Sequence, residues 1–332
     1  YPLVALKKFK DAAKYSKKLE KKNIDSFESN LISAVYYLES KDFDKAAAYF
    51  EKLRNKSQPG SIQSLLSTSL NSWANFKSIK DLESALNLLD SIPKKFENLK
   101  NIQKMFAYCY FDSDRTDEVF RKITSRPDIN YSRYFFFHVN YLISSNKKEK
   151  AKKILKSSLD LHPENLILNQ LEVDLNQKKI FNNQFDCKDT RHVVAEILYI
   201  VANALTAQQN YSTSNFYLNL ATYLNPNFIS FEALRAKNFF TMNKYNEAKK
   251  IYKEVQKYGQ VYRWYASKET ASILIKQEKK KEAIIYVKRI FKKIKNPTTY
   301  EMYDYAEFLK NNKKYKEAIE YFSKVMNTID KT

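Results

Sequence analysis

The chain has 332 residues, 44% hydrophobic and 29% charged, with only 2 Gly and 7 Pro. That apolar share suffices for a buried core, and so few breakers exclude a turn-rich sheet protein and predict helix nearly throughout. The formal net charge of +21 rests on 49 Lys and only 9 Arg, which speaks against a nucleic-acid reader, because Arg is the residue that reads phosphates and base edges bidentately.

In chain order, YPLVAL at the start reads as the tail of a first helix, about half of which is expected upstream of Tyr1. SKDFDKAAAYFEKL (40–53) is the first full amphipathic phrase, and it returns as NKYNEAKKIYKEVQ (243–256) and NKKYKEAIEYFSKVM (312–326). The small residue of each copy falls at Ala12, Ala46, Ala85, Val119, Ala151, Ser214, Ala248, Ala283 and Ala318, a step near 34 residues with one long gap between Ala151 and Ser214. A period of that length is a helix–turn–helix repeat. Twelve residues before most anchors stands another small or apolar residue, such as Ala34, Ala107, Ala236 and Ala271, with Trp73 the exception. Nine before comes a large apolar residue (Tyr37, Leu142, Leu205, Leu309), and four after another (Phe50, Leu89, Leu218, Tyr252). Helix stops follow at Pro59, Pro93, Pro163, Pro226, Gly259 and Pro297. Small residues belong where helix backbones cross closely, and a bulky substitute there overpacks by about 1–3 kcal/mol. A pair of short helices cannot close a core alone, so each leans on the next.

The long gap marks a break. LILNQLEVDLNQK (166–178) reads as a helix, KIFNNQFDCKDTRH (179–192) lacks an apolar stripe, and HVVAEILYIVANAL (192–205) is a first-type helix again. A non-repeat loop is expected there, either packed in place by Phe181 and Phe185 or contributing to a binding site. The expected organisation is an N-terminal array at 1–178, a loop at 179–191 and a C-terminal array at 192–332. Charge is uneven, a mildly acidic middle between basic arms: residues 1–159 carry net +12, 160–236 net −3 and 237–332 net +12.

YNEA (245–248), YKEA (315–318), LHPEN (161–165) and LNPNF (224–228) resemble the signatures of the tetratricopeptide repeat. The resemblance implies an all-α fold, a right-handed α-solenoid of about eight to nine helix-turn-helix repeats, and a non-enzymatic scaffold. The block from His192 to Phe228, with Leu220, Ala221, Thr222, Tyr223, Leu224, Asn225 and Pro226, is similar to a tetratricopeptide-repeat family widespread in alphaproteobacteria. That likeness implies a periplasmic protein with no defined activity.

Candidate chemistry is sparse. His138 in RYFFFHVNYL reads as a packed core residue and His162 as a loop residue. Cys187, Asp189, His192 and Glu196 cluster, but their spacing matches no zinc motif; Asp189 or Thr190 is expected to cap a helix, and no cofactor or metal is expected. Cys109 and Cys187 are far apart and read as two buried thiols. No apolar run reaches the ~18 residues of a membrane span; the best, 193–205, contains Glu196 and Asn203. Basic stretches such as KQEKKKEA (276–283) allow peripheral contact with an anionic surface.

Helix phase places Lys104, Tyr108, Phe136, Asn140, Tyr199, Asn203, Lys237, Phe240, Lys268 and Tyr303 on the inner face of first helices. The Lys and Asn four apart that clamp an acidic C-terminus are missing: the pairs are Phe136/Asn140, Tyr199/Asn203, Lys104/Tyr108 and Lys268/Ser272. Aromatics and amides there suit a peptide or protein held by stacking and by hydrogen bonds to its backbone. A basic solenoid binding RNA or another polyanion is the alternative.

Overall fold

A computed structural model describes residues 1–58, 60–125, 132–177 and 184–329, and no strand occurs among them. The helices, in order, are α1 (Pro2–Ala5), α2 (Phe9–Lys21), α3 (Phe27–Glu39), α4 (Phe43–Lys56), α5 (Ile62–Asn75), α6 (Leu82–Leu89), α7 (Glu97–Tyr110), α8 (Thr116–Thr124), α9 (Ser132–Ser144) and α10 (Lys148–Leu161). They continue with α11 (Leu166–Asn176), α12 (Thr190–Ala207), α13 (Tyr211–Leu224), α14 (Ser230–Thr241), α15 (Tyr245–Val255), α16 (Gln260–Lys276), α17 (Lys280–Phe291), α18 (Thr299–Asn311) and α19 (Tyr315–Ile329). The chain is an all-helical repeat protein. Helix starts follow side-chain chemistry: Asp42, Ser61, Asp81, Asn165 and Asp189 accept from first-turn amides, and Ser26 and Thr298 form capping boxes with Ser29 and Glu301.

The repeat register sets the packing. Of the nine anchors, every one but the half-buried Val119 is buried. The residues twelve before them, Trp73 included, are fully covered. Trp73 fits a small-residue slot because its indole N–H donates to Gln103 at 3.0 Å, and Gln103 in turn donates to Ser69 at 2.9 Å. Pro93, Pro163, Pro226 and Pro297 all follow helix ends, while Pro59 lies outside the described residues. Gly259 also follows a helix end, that of α15, and in addition it opens α16 with φ 141°, where a Cβ would collide with the Gln170 carboxamide.

With so few glycines, the turn ahead of seven of the nine anchors is made another way. Five residues before the anchor the backbone is left-handed at Lys7, Lys41, Asn146, Gln209, Asn243, Glu278 and Lys313. The next amide reaches back to the carbonyl of the large apolar residue nine before the anchor, as in Asp42 to Tyr37 at 2.9 Å, Asn210 to Leu205 at 2.8 Å and Lys314 to Leu309 at 2.9 Å. This is the Schellman closure that usually recruits Gly.

The chain divides into two compact units, each made of two separate stretches rather than of the two successive arrays set out above. Unit 1 holds residues 1–152 and 182–238, and unit 2 holds 153–181 and 239–332. In unit 1 the first helices do more than lean on sequence neighbours: α12 packs on α5, and α13 packs on α3 and α1. Tyr1 meets Phe216 at 4.6 Å, Phe9 stacks on Tyr223 at 3.9 Å, and Tyr223 donates to Glu39 at 3.2 Å. The hairpin α12–α13 therefore covers the faces of α1, α3 and α5. In unit 2, α15 packs on α16, α16 on α17 and α18 on α19, while α11 packs on α16. The helix lacking a hairpin partner at the break thus finds one about ninety residues on, where Val261 N–H donates to Gln170 Oε1 at 3.0 Å. Of the expected loop, 179–183, with Phe181, lies outside the described residues; 184–189 is non-helical and Phe185 is buried.

Candidate functional site

One concavity lies in unit 1, where α7, α8 and α9 meet the segment 184–189. The sequence SRYFFFHVNYLIS of α9 is apolar on nearly every side. It lays Phe137 against Phe185 at 4.4 Å, and Phe106 of α7 meets both at 5.3 and 5.1 Å. The segment has little regular backbone pairing and is pinned by side chains instead. Asn140 Nδ2 donates to the Phe185 carbonyl at 2.7 Å and Asn225 Nδ2 to the Gln184 carbonyl at 2.9 Å. The Asp186 amide donates to His192 Nδ1 at 3.0 Å. Lys188 pairs with Asp112 at 2.5 Å. Cys187 is disulfide-bonded to Cys109 of α7 with Cα atoms 6.0 Å apart, which corrects the expectation of two thiols.

These groups enclose a cavity of about 360 Å³. Phe120, Phe137 and Phe185 form its buried floor and Tyr141 a half-buried wall, with the disulfide at one side. Asp112, Ser144, Ser145 and Lys188 stand at the rim. Behind the floor, His138 stacks on Phe120 at 5.1 Å and lies 2.9 Å from Asp117. It is buried, as the sequence suggested. Burial would raise the Asp117 carboxyl, but hydrogen bonds from Lys150 and His138 outweigh it and hold it at about 2. Burial lowers both His138 and His192.

Deeper in unit 1, Arg133 binds Glu196 through both oxygens at 2.6 and 2.7 Å, with its guanidinium 3.9 Å over Tyr199 and 4.5 Å over Phe228. Glu196 has no exposed side-chain area. Burial pushes its carboxyl up and the guanidinium opposes that. The contact joins α9 to α12 as a structural clamp. Among the described residues no group of three or more His, Cys, Asp or Glu is placed to hold a metal, and no helix is long and apolar enough to cross a membrane.

The ten inner-face residues are divided between the two units and differ in what they touch. Phe136 is buried against Phe228 at 5.6 Å and Asn140 is buried on the Phe185 carbonyl, so neither meets a partner without unpacking. Tyr199 carries Arg133, and Tyr108 lies under Arg115 at 5.8 Å. Lys104 pairs with Asp90 at 2.7 Å, and Lys268 with Asp304 at 2.5 Å. Asn203, Lys237 and Tyr303 are exposed, and Phe240 is half-buried beside Tyr245 at 6.0 Å. Phe240, Lys268 and Tyr303 belong to unit 2 and the others to unit 1. Sequence reasoning missed the disulfide and Arg133. The signal for Arg133 was present: one charge inside RYFFFHVNYL and one inside VVAEILYIV are each costly to bury alone and complementary together.

Residues 3–62 match the family model described as tetratricopeptide repeat. No curated protein matches the chain at a significant level. Among similar solved structures is the crystal structure of the yeast Tom70, 14% identical, covering 98% of this chain and 82% of that one with a TM-score of 0.32.

Proposed function

We propose that the protein is a non-enzymatic interaction scaffold that binds a protein or peptide partner on the outward groups of its first helices. The carrying observation is the register. The residues that recur, from Ala12 to Ala318, are spent on packing helix against helix. The groups left outward on first helices, such as Asn203, Lys237 and Tyr303, differ from hairpin to hairpin. A surface that varies on a repeating frame suits recognition of an extended partner and not one reactive centre. In unit 1 the hairpin α12–α13 already covers α3 and α5, so the partner meets the faces this hairpin leaves open. The Cys109–Cys187 bond supports residence in an oxidising compartment, and we propose the periplasm.

Photo-crosslinking residues placed at Asn203 and Tyr303 in the native host test this. Recovery of the same protein partner at either position, from the envelope fraction, is the expected result. Adducts to RNA alone, with binding that falls steeply in a salt titration, would replace the scaffold by the polyanion reading.

A further inference from the structure

We infer that helix α2 and the turns at its two ends form a docking surface for an anionic lipid bilayer, with lysines meeting the headgroups and Leu6, Tyr15 and Ile24 entering the interface beside them. Such a surface is independent of partner binding on the first helices, because α2 carries the anchor Ala12 and is a second helix.

The charge is concentrated. Residues 7–22 hold eight Lys against Asp11 and Glu20, a net of +6. Phe9, Ala12, Ala13 and Ser16 bury one side of α2. Lys10, Lys14, Lys18 and Lys21, spaced by four, four and three, share the opposite side and are exposed, and Lys8 and Lys22 stand exposed at the helix ends. Among the described residues none of these six pairs with a carboxylate, whereas Lys7 pairs with Glu232, Lys45 with Asp42, Lys52 with Glu20 and Lys56 with Asp25. Like charges four apart, such as Lys10 with Lys14 and Lys14 with Lys18, repel each other and destabilise a helix. Nothing inside the fold offsets that repulsion; an anionic surface would.

Apolar exposure selects the kind of anion. Leu6 is 65%, Tyr15 57% and Ile24 61% exposed. Leu6 precedes α2, Tyr15 lies in its middle and Ile24 follows its end, so apolar groups alternate with lysines along a helix of about 20 Å. A phosphate backbone has no use for exposed Leu and Ile, and ammonium groups lack the bidentate fork that reads nucleic acid. A bilayer interface takes both kinds of group: the ammoniums stay among the headgroup phosphates on long stems, while Leu, Ile and Tyr leave water. The broad apolar side of α2 is already buried in the protein, so the contact is peripheral and weakens with salt. The basic helix α17 differs. Lys288 pairs with Glu317, Arg289 lies over Tyr286 at 5.7 Å, and Ile285 is its one exposed large apolar residue.

The test sediments the full oxidised chain with vesicles of phosphatidylcholine, either pure or carrying about one third phosphatidylglycerol, in about 0.1 M salt. Binding to the anionic vesicles should be at least tenfold tighter than to the neutral ones. Lys14→Gln/Lys18→Gln should weaken it at least fivefold and Leu6→Ser/Ile24→Ser at least threefold, each with an unchanged melting temperature. Lys280→Gln/Lys281→Gln, on α17, should change it less than twofold. In a Tyr15→Trp chain brominated lipid should quench the new indole, and in the parent it should leave Trp73 and Trp264 unquenched. Equal binding to both vesicles, unchanged binding by both folded α2 variants, or an equal loss in the α17 variant overturns the surface. Tighter binding to a single-stranded RNA homopolymer, lost in the same lysine variant, overturns it in favour of nucleic acid. If vesicle binding fails while crosslinks at Asn203 persist, the scaffold reading survives; if crosslinks vanish and vesicle binding holds, the scaffold reading alone falls.

Discussion

Units 1 and 2 are built from similar helical hairpins, most of them with the same left-handed turn, yet they are held together differently. Unit 2 is mainly a stack of helices close in sequence, α15 on α16, α16 on α17 and α18 on α19, with α11 brought onto α16 from farther away. Unit 1 is closed by a distant stretch: α12–α13 lies on α1, α3 and α5, a disulfide joins residues 78 apart, and an ion pair joins residues 63 apart. The surfaces differ accordingly. Leu161, Tyr258, Ile275, Ile285, Tyr303, Tyr315, Ile319 and Met326 are large exposed apolar residues of unit 2, against Tyr1, Leu6, Tyr15 and Ile24 in unit 1. Repetition alone gives a stack stabilised by nearest neighbours, and a long-range insertion turns such a stack into a closed body. The chain carries one buried tryptophan in each unit, Trp73 and Trp264, so single-tryptophan variants follow each unit by itself.

The largest expected effect separates the units most cleanly. Glu196→Ala leaves Arg133 buried without its carboxylate, which costs about 3–5 kcal/mol. In denaturant titrations Trp73 fluorescence should shift strongly and Trp264 fluorescence should not. The double variant Arg133→Met/Glu196→Leu should recover most of the loss, since it removes both charges. Equal shifts of both tryptophans would dissolve the distinction between the units.

Reduction of the disulfide, or Cys109→Ser/Cys187→Ser, comes next, at about 2–4 kcal/mol. The loss should again fall on Trp73, and hydrogen exchange should rise first in 184–189. Unit 2 has its own breaking point in Gly259. Gly259→Ala forces a side chain into a backbone with φ 141° and into the Gln170 carboxamide. It should cost about 1–3 kcal/mol, seen at Trp264.

Acid should also tell the units apart. Burial holds His138 and His192 below their ordinary value. A depressed histidine is neutral in the fold, so its contribution is complete above the unfolded pKa near 6.5 and is lost as the pH falls below it. His192 accepts the Asp186 amide; a proton on Nδ1 would set donor against donor. The charged groups around it are Asp189, Arg191 and Asp186; around His138 they are Asp117, Lys150 and Arg121. Trp73 should report falling stability below about pH 6.5, and His192→Gln should flatten part of that slope.

Much of this was legible in the sequence. Ala46, Ala248 and Ala318 announce the register because a helix crossing tolerates only small side chains, and that constraint is local. His138 and the cap Asp189 were readable for the same reason. The closure of unit 1 was not, because Cys109 finds Cys187, and Arg133 finds Glu196, through three-dimensional proximity that no period encodes. Phe136 and Asn140 have the phase of inner-face residues, but phase says which side a residue faces and not that the side is already covered. The left-handed turns were hidden by composition: Lys, Gln and Glu do not announce a conformation that Gly or Asn would.

Those turns give the smallest expected effect and the limit of the comparison. Glu278 in unit 2 and Gln209 in unit 1 both hold φ near +60° and are followed by an amide bonded back across the turn, Lys279 to Leu274 at 2.9 Å and Asn210 to Leu205 at 2.8 Å. Glycine removes the Cβ clash that makes this backbone costly, but adds freedom to the unfolded chain, so the two terms partly cancel. Glu278→Gly and Gln209→Gly should each raise stability by less than about 1 kcal/mol, read at Trp264 and Trp73 respectively. Asn243→Gly should gain least or lose, because Asn tolerates the conformation and its Oδ1 accepts from the Tyr245 hydroxyl at 2.8 Å. Equal gains at 278 and 209 are required if the turn is a local device indifferent to closure. A gain confined to one unit would mean that the inserted hairpin α12–α13 reaches into the turns as well as the helix faces.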